Sequence, residues 1–152
     1  MNSLLQVENL DIALDTADGV VHAVNGLSFE IGEGEAVGLV GESGCGKSLT
    51  ALSLLGLLPQ NARVQGTAHF QNRDLLKLSA AERVQIRGAQ IALIFQDPMT
   101  ALNQHLNIGR QMTEVLEVHR GASRAEAQAE RLRVLDTVQL GEAAAVAHRI
   151  QT

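Results

Sequence analysis

A glycine-rich stretch of eight residues, 41–48, constrains the fold of this chain more than any other feature. Its sequence, GESGCGKS, matches the pattern G-x-x-x-x-G-K-[ST] of a phosphate-binding loop, or P-loop, in full. The glycines allow the backbone to turn sharply, so that its N–H groups approach phosphate oxygens at the N-terminus of the following helix. Because such a loop joins a strand to a helix, the motif predicts an α/β fold.

The residue types in the loop are those that binding of a magnesium nucleotide requires. The ammonium of Lys47 can reach the β- and γ-phosphates of a nucleotide, and the hydroxyl of Ser48 can ligate Mg²⁺. We expect the phosphates to be held by a continuous run of residues: Gly41, Glu42, Ser43, Gly44, Cys45, Gly46, Lys47, Ser48 and Leu49. Cys45 is interpreted as a small residue tolerated for its size, not as a redox group or nucleophile. The alternative for the whole motif is a glycine-rich turn that binds nothing.

Hydrophobic patterns on both sides of the P-loop predict the strands. Alternating apolar residues are typical of half-buried strands, and continuous apolar runs are typical of strands buried on both faces. Residues 4–14 and 64–71 are predicted to be strands, as are residues 20–31, where apolar residues roughly alternate. Continuous apolar runs predict buried strands at residues 36–40 and 90–95. Turns are expected at residues 17–19, 32–35 and 72–73.

Helices are predicted after the P-loop and in the second half of the chain. The segment after Lys47 has a helical pattern until Pro59, and capping boxes at residues 79–82 and 123–126 should each open a helix. Helical spacing relates Ile108, Met112, Val115, Leu116 and His119 in one segment and Ala125, Ala129, Leu132 and Leu135 in another. The order of elements indicates an α/β domain with an antiparallel appendage.

Composition excludes several other classes of function. The net charge is −5 and the 12 basic residues form no run, so a nucleic-acid partner is not expected. Three phenylalanines are the only aromatic residues, which argues against a platform for stacking bases. Cys45 is the only cysteine, so an intramolecular disulfide is excluded.

Nothing in the sequence predicts membrane insertion or secretion. The longest apolar stretch, residues 49–58, is too short to span a bilayer, which needs about 20 residues. The first residues carry no basic segment followed by an apolar core, so no secretion signal is predicted. We expect a soluble cytosolic chain, of one modest domain or part of a larger one, whose membrane link comes through a partner.

A second motif, residues 94–103 with the sequence IFQDPMTALN, occurs in the chain, and the two motifs together indicate a family more specifically than the P-loop alone. Together the two resemble the ATP-binding subunits of ABC importers, and they are most similar to the oligopeptide, dipeptide and nickel branch. Residues 22–29 and 114–121 fit the same branch. The resemblance implies a P-loop NTPase fold of the ABC type, with an N-terminal antiparallel β subdomain. It also implies domain bounds: residues 1–95 as this subdomain and the P-loop core, 96–106 as the Q-loop, and 107–152 as part of the helical subdomain.

The resemblance also implies a mechanism and partners. ATP and Mg²⁺ would be the cofactors, Lys47 and Gln96 the catalytic residues, and Ser48 and Gln96 the groups near the metal. ATP hydrolysis in the complete subunit would drive the import of peptides or related small solutes. The partners would be membrane-spanning permease subunits, a second ATP-binding subunit and, indirectly, an extracytoplasmic solute-binding protein. The subunit would lie on the cytoplasmic face of the inner membrane, and residues 97–106 would contact the permease.

Three departures from the family pattern stand out. No Tyr or Trp is present to stack on adenine: Asp18 lies near that position, and His22 is either a weaker stacking face or a half-exposed strand residue. The usual Leu-Asn-Pro of the Q-loop reads Leu102-Asn103-Gln104. The signature motif, the Walker-B acid and the switch histidine are not found before Thr152, so the chain looks truncated and is expected to show no ATPase turnover alone.

Alternatives to these assignments remain. Gln96 can be read as an ordinary polar residue at a strand end, or residues 92–95 with Asp97 as a Walker-B strand, although Gln96 then intervenes. The whole chain can also be read as a soluble P-loop kinase, an SMC-like ATPase or a truncated interaction module. A kinase usually places its P-loop nearer the N-terminus, and an SMC-like head runs into long heptads, whereas the helices here are broken at Gly121 and Gly141.

Overall fold

Four antiparallel strands form the sheet of the N-terminal part of the chain. The computed structural model describes residues 3–97 and 102–138, and it divides into two compact units, residues 1–87 and 88–152. The strands of the first unit are β1 (Ser3–Thr16), β2 (Gly19–Gly32), β3 (Ala62–Phe70) and β4 (Arg73–Asp74), in the order β2-β1-β3-β4. The strands predicted at residues 4–14, 20–31 and 64–71 are therefore confirmed, and the hairpin turn lies where it was predicted, before Gly19.

The core of the first unit lies on one face of this sheet. Alternation along β1, interrupted by a register shift between Val7 and Leu10, sends its apolar side chains to that face, and Leu10 and Ile12 are completely buried. The first unit also contains a short helix between β2 and β3, α1 (Lys47–Leu54). After β4 come a 3₁₀ turn (Leu75–Lys77) and a second helix, α2 (Ala80–Ile86). The buried apolar residues of the unit are Leu5, Val7, Leu10, Ile12, Val24, Leu55, Ala68, Phe70, Leu75 and Ile86.

The connection between β2 and β3 must cross from one end of the sheet to the other. Both strands run antiparallel to β1, so they are parallel to each other. Parallel strands cannot be joined by a tight turn, because the chain must travel back along the sheet before the second strand begins. Residues 33–61 make this return, and they contain both the P-loop and α1.

Two helices, α3 (Ile108–Arg120) and α4 (Arg124–Thr137), pack together in the second unit. The capping boxes predicted at Ser79 and Ser123 are both confirmed, since each serine accepts a hydrogen bond from the amide three residues on. The face predicted for α4 is partly wrong: Leu135 is buried, but Ala127 is buried in place of Ala125 and Ala129, which are exposed. Alanines lie on several faces of this helix, so they did not identify the side that meets α3.

The two buried strands predicted from continuous apolar runs are wrong. Neither residues 36–40 nor residues 90–95 form a strand in the described structure, although Ile91 makes an isolated β-bridge. Val40 is 90% exposed and Ile94 92% exposed. A continuous apolar run becomes a buried strand only where other strands pair with its edges and other layers cover its faces. No described strand does so for either run.

Smaller differences concern ends of elements and the search for membrane spans. Helix α1 ends at Leu54 and not at Pro59, and the turn after β3 lies at Gln71 and Asn72, one residue earlier than predicted. Among the helices in the described part of the chain, none has the length and apolar character needed to span a membrane.

Candidate functional site

The P-loop lies in the first unit, directly before α1. A tight turn opens it, in which the Cys45 amide donates to the Glu42 carbonyl at 3.3 Å. The loop then ends at Gly46, which is the N-cap residue of α1 and has a φ of 91°. The strand–loop–helix context expected of the motif is thus met on its helical side, whereas the segment before the loop is not paired in a sheet.

Gly46 lies against the backbone of β2. A Cβ atom at this position would lie 2.4 Å from the carbonyl oxygen of Ala23 and 2.7 Å from a methyl carbon of Val24. Gly44 also has a positive φ, 83°, but a Cβ there would meet nothing within 4 Å. Only a residue without a side chain fits at Gly46, and its contact with β2 sets the start of α1 against the sheet.

The N-terminus of α1 differs from those of the other α-helices that the structure describes. Those begin with side-chain caps, from Ser79, Asn107 and Ser123, whereas no side chain caps α1. The first amides of a helix have no partner within it, and with the helix dipole they form a site for an anion. Thr50 completes the first turn of α1, since its amide donates to the Gly46 carbonyl at 2.8 Å.

The ammonium of Lys47 lies across the loop. Its Nζ donates to the carbonyls of Gly41 at 2.9 Å and Glu42 at 2.6 Å, and it lies 3.4 Å from the Sγ of Cys45. The long side chain is therefore held by the backbone of the loop that it follows. A positive charge is fixed beside the uncapped start of a helix, and both features favour a phosphate group.

Ser48 and Leu49 continue the first turn of α1. Ser48 is exposed and its hydroxyl has no hydrogen-bond partner within the described residues, so it is available as a hard oxygen ligand. A group of three or more His, Cys, Asp or Glu side chains suited to a metal ion is not found in the described part of the chain. A P-loop needs no such group, because Mg²⁺ is held there by the Ser or Thr hydroxyl, the phosphates and a single Walker-B carboxylate, and of these this loop supplies the hydroxyl. The residues present thus fit a magnesium nucleotide.

A cavity of about 490 Å³ adjoins the loop. Its walls are residues 23–28 of β2, Leu39 and Val40 before the loop, and Cys45, Lys47 and Thr50. The contribution of β2 was missed from the sequence, since nothing in the spacing of residues shows that β2 passes under Gly46. The only related signal was that residues 22–29 belong to the same family resemblance as the P-loop.

Gln96 belongs to the other unit. It is exposed and lies at a bend that follows residues 92–95, which have no regular secondary structure. The loop predicted after it is described only from residue 102 onwards, because residues 98–101, like residues 139–152, lie outside the described parts. Its second half is tied to α3: Gln111 accepts from the Asn103 amide at 2.8 Å and donates to the carbonyls of Asn103 and Leu106, both at 3.0 Å.

Comparison with curated proteins finds peptide-transport relatives. The chain is 50% identical over 143 residues to the oligopeptide transport ATP-binding protein OppD of Haemophilus influenzae, covering 94% of this chain and 44% of that protein. It is 48% identical over 142 residues to OppD of Escherichia coli, covering 93% and 42%. It is 48% identical over 140 residues to the dipeptide transport ATP-binding protein DppD of Bacillus subtilis, covering 91% and 42%. The chain thus spans less than half the length of these relatives.

Solved structures agree on the fold. The ATP-binding cassette MJ0796, as a dimer bound to ADP and Pi, superposes with a TM-score of 0.75 at 23% identity, covering 97% of this chain and 62% of the other. A second dimeric structure of this bacterial ABC transporter cassette gives 0.77 at 24% identity, with coverages of 96% and 61%. The α/β fold of an ABC cassette, expected from the sequence, is confirmed. Residues 24–151 match the family model described as ABC transporter, and the chain belongs to that family.

Proposed function

We propose that this chain binds ATP with Mg²⁺ through residues 41–49, and that hydrolysis of this ATP in an assembled transporter drives the import of peptides or related small solutes. The observation that carries the proposal is the P-loop itself. Within eight residues it combines a lysine ammonium held by two loop carbonyls with the uncapped N-terminus of a helix. Phosphate is the anion that this pairing of a point charge with helix amides suits best.

The proposed roles of the residues follow from their positions. The loop amides and Lys47 would bind the phosphates, and Ser48 would ligate the metal ion. Bound Mg²⁺ would supply charge neutralisation on the phosphate oxygens. Gln96 would orient water near the metal, with residues 96–106 as the Q-loop that leads from the core of residues 1–95 to the helical part at 107–152. This role of Gln96 rests on the family motif at residues 94–103.

The substrate class is inferred from the relatives. The proteins matched at 48–50% identity are named for oligopeptide and dipeptide transport. We therefore propose permease subunits as partners, together with a second ATP-binding subunit and, indirectly, a solute-binding protein. The proposed location is the cytoplasmic face of the membrane. The kinase, SMC-like and inactive-module alternatives have no comparable support.

The experiment is calorimetric titration of the purified chain with Mg-ATP. Hydrogen bonds to charged groups contribute about 1.5–3 kcal/mol, so Lys47→Ala should weaken binding about 10- to 150-fold. Lys77→Ala is the matched control, because Lys77 is the other lysine of the chain, its side chain is 75% exposed, and it pairs with Asp74 away from the loop. Equal affinities for wild type and Lys47→Ala, or equal losses in the two variants, would contradict the proposal.

A further inference from the structure

The C-terminal end of α1 is held by an arginine from outside the helix. Arg87, directly after α2, donates from Nε to the Leu55 carbonyl at 2.8 Å and from Nη2 to the Gly56 carbonyl at 2.9 Å. These two carbonyls lie just beyond the last helical residue, Leu54. The planar fork of a guanidinium suits two adjacent acceptors, and its charge complements the negative end of the helix dipole.

Helix α1 depends on such contacts because it is short. It has eight residues, and helices of fewer than about 12 residues are marginal unless tertiary contacts hold them. Its buried residues, Thr50 and Ser53, are small and polar, whereas its leucines are only half-buried and the first buried leucine, Leu55, follows its last residue. The helix is held at both ends, by Gly46 against β2 at its start and by Arg87 together with the buried Leu55 at its C-terminus.

We propose that Arg87 is a positioning residue for the P-loop: by holding the C-terminus of α1 it keeps the first amides of the helix directed at the phosphates. This inference rests on the proposed nucleotide binding. Arg87 acts through the helix and not on the ligand, since eight residues at 1.5 Å each make α1 about 12 Å long.

The test compares three variants of the chain. Arg87→Met removes the guanidinium and keeps an apolar stem, and Arg87→Lys keeps the charge without the fork. Arg63→Met is the matched control, since Arg63 is an arginine of the same unit whose side chain is 60% exposed and pairs with Asp15 at the surface. The readouts are the affinity for Mg-ATP, hydrogen exchange at the Thr50 amide, and the urea midpoint, which shows that each variant is folded.

The expected results separate positioning from general stability. Arg87→Met should bind Mg-ATP about tenfold more weakly, because a misdirected helix start should lose about one charged hydrogen bond to the phosphates, and its Thr50 amide should exchange faster. Arg87→Lys should recover part of both values, and Arg63→Met should change neither. A folded Arg87→Met with wild-type affinity and wild-type exchange at Thr50 would overturn the inference.

Two further outcomes are also decisive. If Arg87→Met does not fold, Arg87→Lys decides: weaker binding at an unchanged urea midpoint supports positioning, and unchanged binding overturns it. If the wild-type chain itself does not bind Mg-ATP, the proposed function fails. Exchange at Thr50 in the Arg87 variants then still shows whether Arg87 holds the start of α1, and unchanged exchange overturns the inference independently.

Discussion

Replacing Gly46 by alanine tests how the P-loop is attached to the sheet. The backbone at Gly46 has a φ of 91°, and an added Cβ would lie 2.4 Å from the Ala23 carbonyl oxygen. A left-handed conformation costs an L-residue about 1–2 kcal/mol, and an extra methyl group in a packed site costs about 1–3 kcal/mol. The two effects together predict a loss of about 2–5 kcal/mol in the free energy of unfolding.

This loss is large for a unit of this size. At about 0.05–0.15 kcal/mol per residue, residues 1–87 would have a stability of only about 4–13 kcal/mol. The loop can avoid part of the cost by moving away from β2, but that movement would misdirect the first amides of α1. Gly46→Ala should therefore lose binding of Mg-ATP even where it remains folded.

Gly44→Ala is the matched control, because Gly44 has a similar φ of 83° with no atom within 4 Å of an added Cβ. It should show the conformational cost of about 1–2 kcal/mol without the clash. Urea unfolding measures the stability of both variants, and calorimetric titration measures their affinity for Mg-ATP. If Gly46→Ala is no less stable than Gly44→Ala and binds the nucleotide equally well, the close contact with β2 does not have the role argued for it.

Two further predictions concern the sheet and α4. Leu10→Ala should lower the free energy of unfolding, measured in urea, by about 2–5 kcal/mol because Leu10 is completely buried. Val20→Ala is the control, because the Val20 side chain is 49% exposed, and it should change this free energy by less than about 0.5 kcal/mol. Similar losses in the two variants would contradict the described core. Hydrogen bonds from the Ser123 side chain and then its backbone hold the pKa of Glu126 below its usual range, so the stability they add is present at neutral pH and is lost as pH falls through that lowered pKa. Ser123→Ala should therefore cost about 1 kcal/mol in urea unfolding at pH 7 and less at acid pH, and a cost independent of pH would contradict this account.

The strands and caps were predictable because their signals are local. Rough alternation over twelve residues, 20–31, identified β2, and the capping boxes at Ser79 and Ser123 need only four residues each. Residues 36–40 and 90–95 were predicted wrongly because burial of a continuous apolar run depends on distant partners. The P-loop was recognised from its octapeptide, but the contacts of Gly46 with β2 and of Arg87 with α1 join residues far apart in sequence and leave no pattern.

The strand order makes β1 necessary for the sheet that carries the P-loop, although β1 and the P-loop are far apart in the sequence. β2 and β3 share no hydrogen bonds, and β1 alone pairs with both. A shortened protein that starts after Thr16 would retain every residue of the glycine-rich motif. It would lack β1, however, which is the strand that pairs with both β2 and β3 on either side of that motif in the chain. Deletion mapping of this region would therefore assign nucleotide affinity to residues 1–16, although none of them belongs to the proposed phosphate-binding residues 41–49.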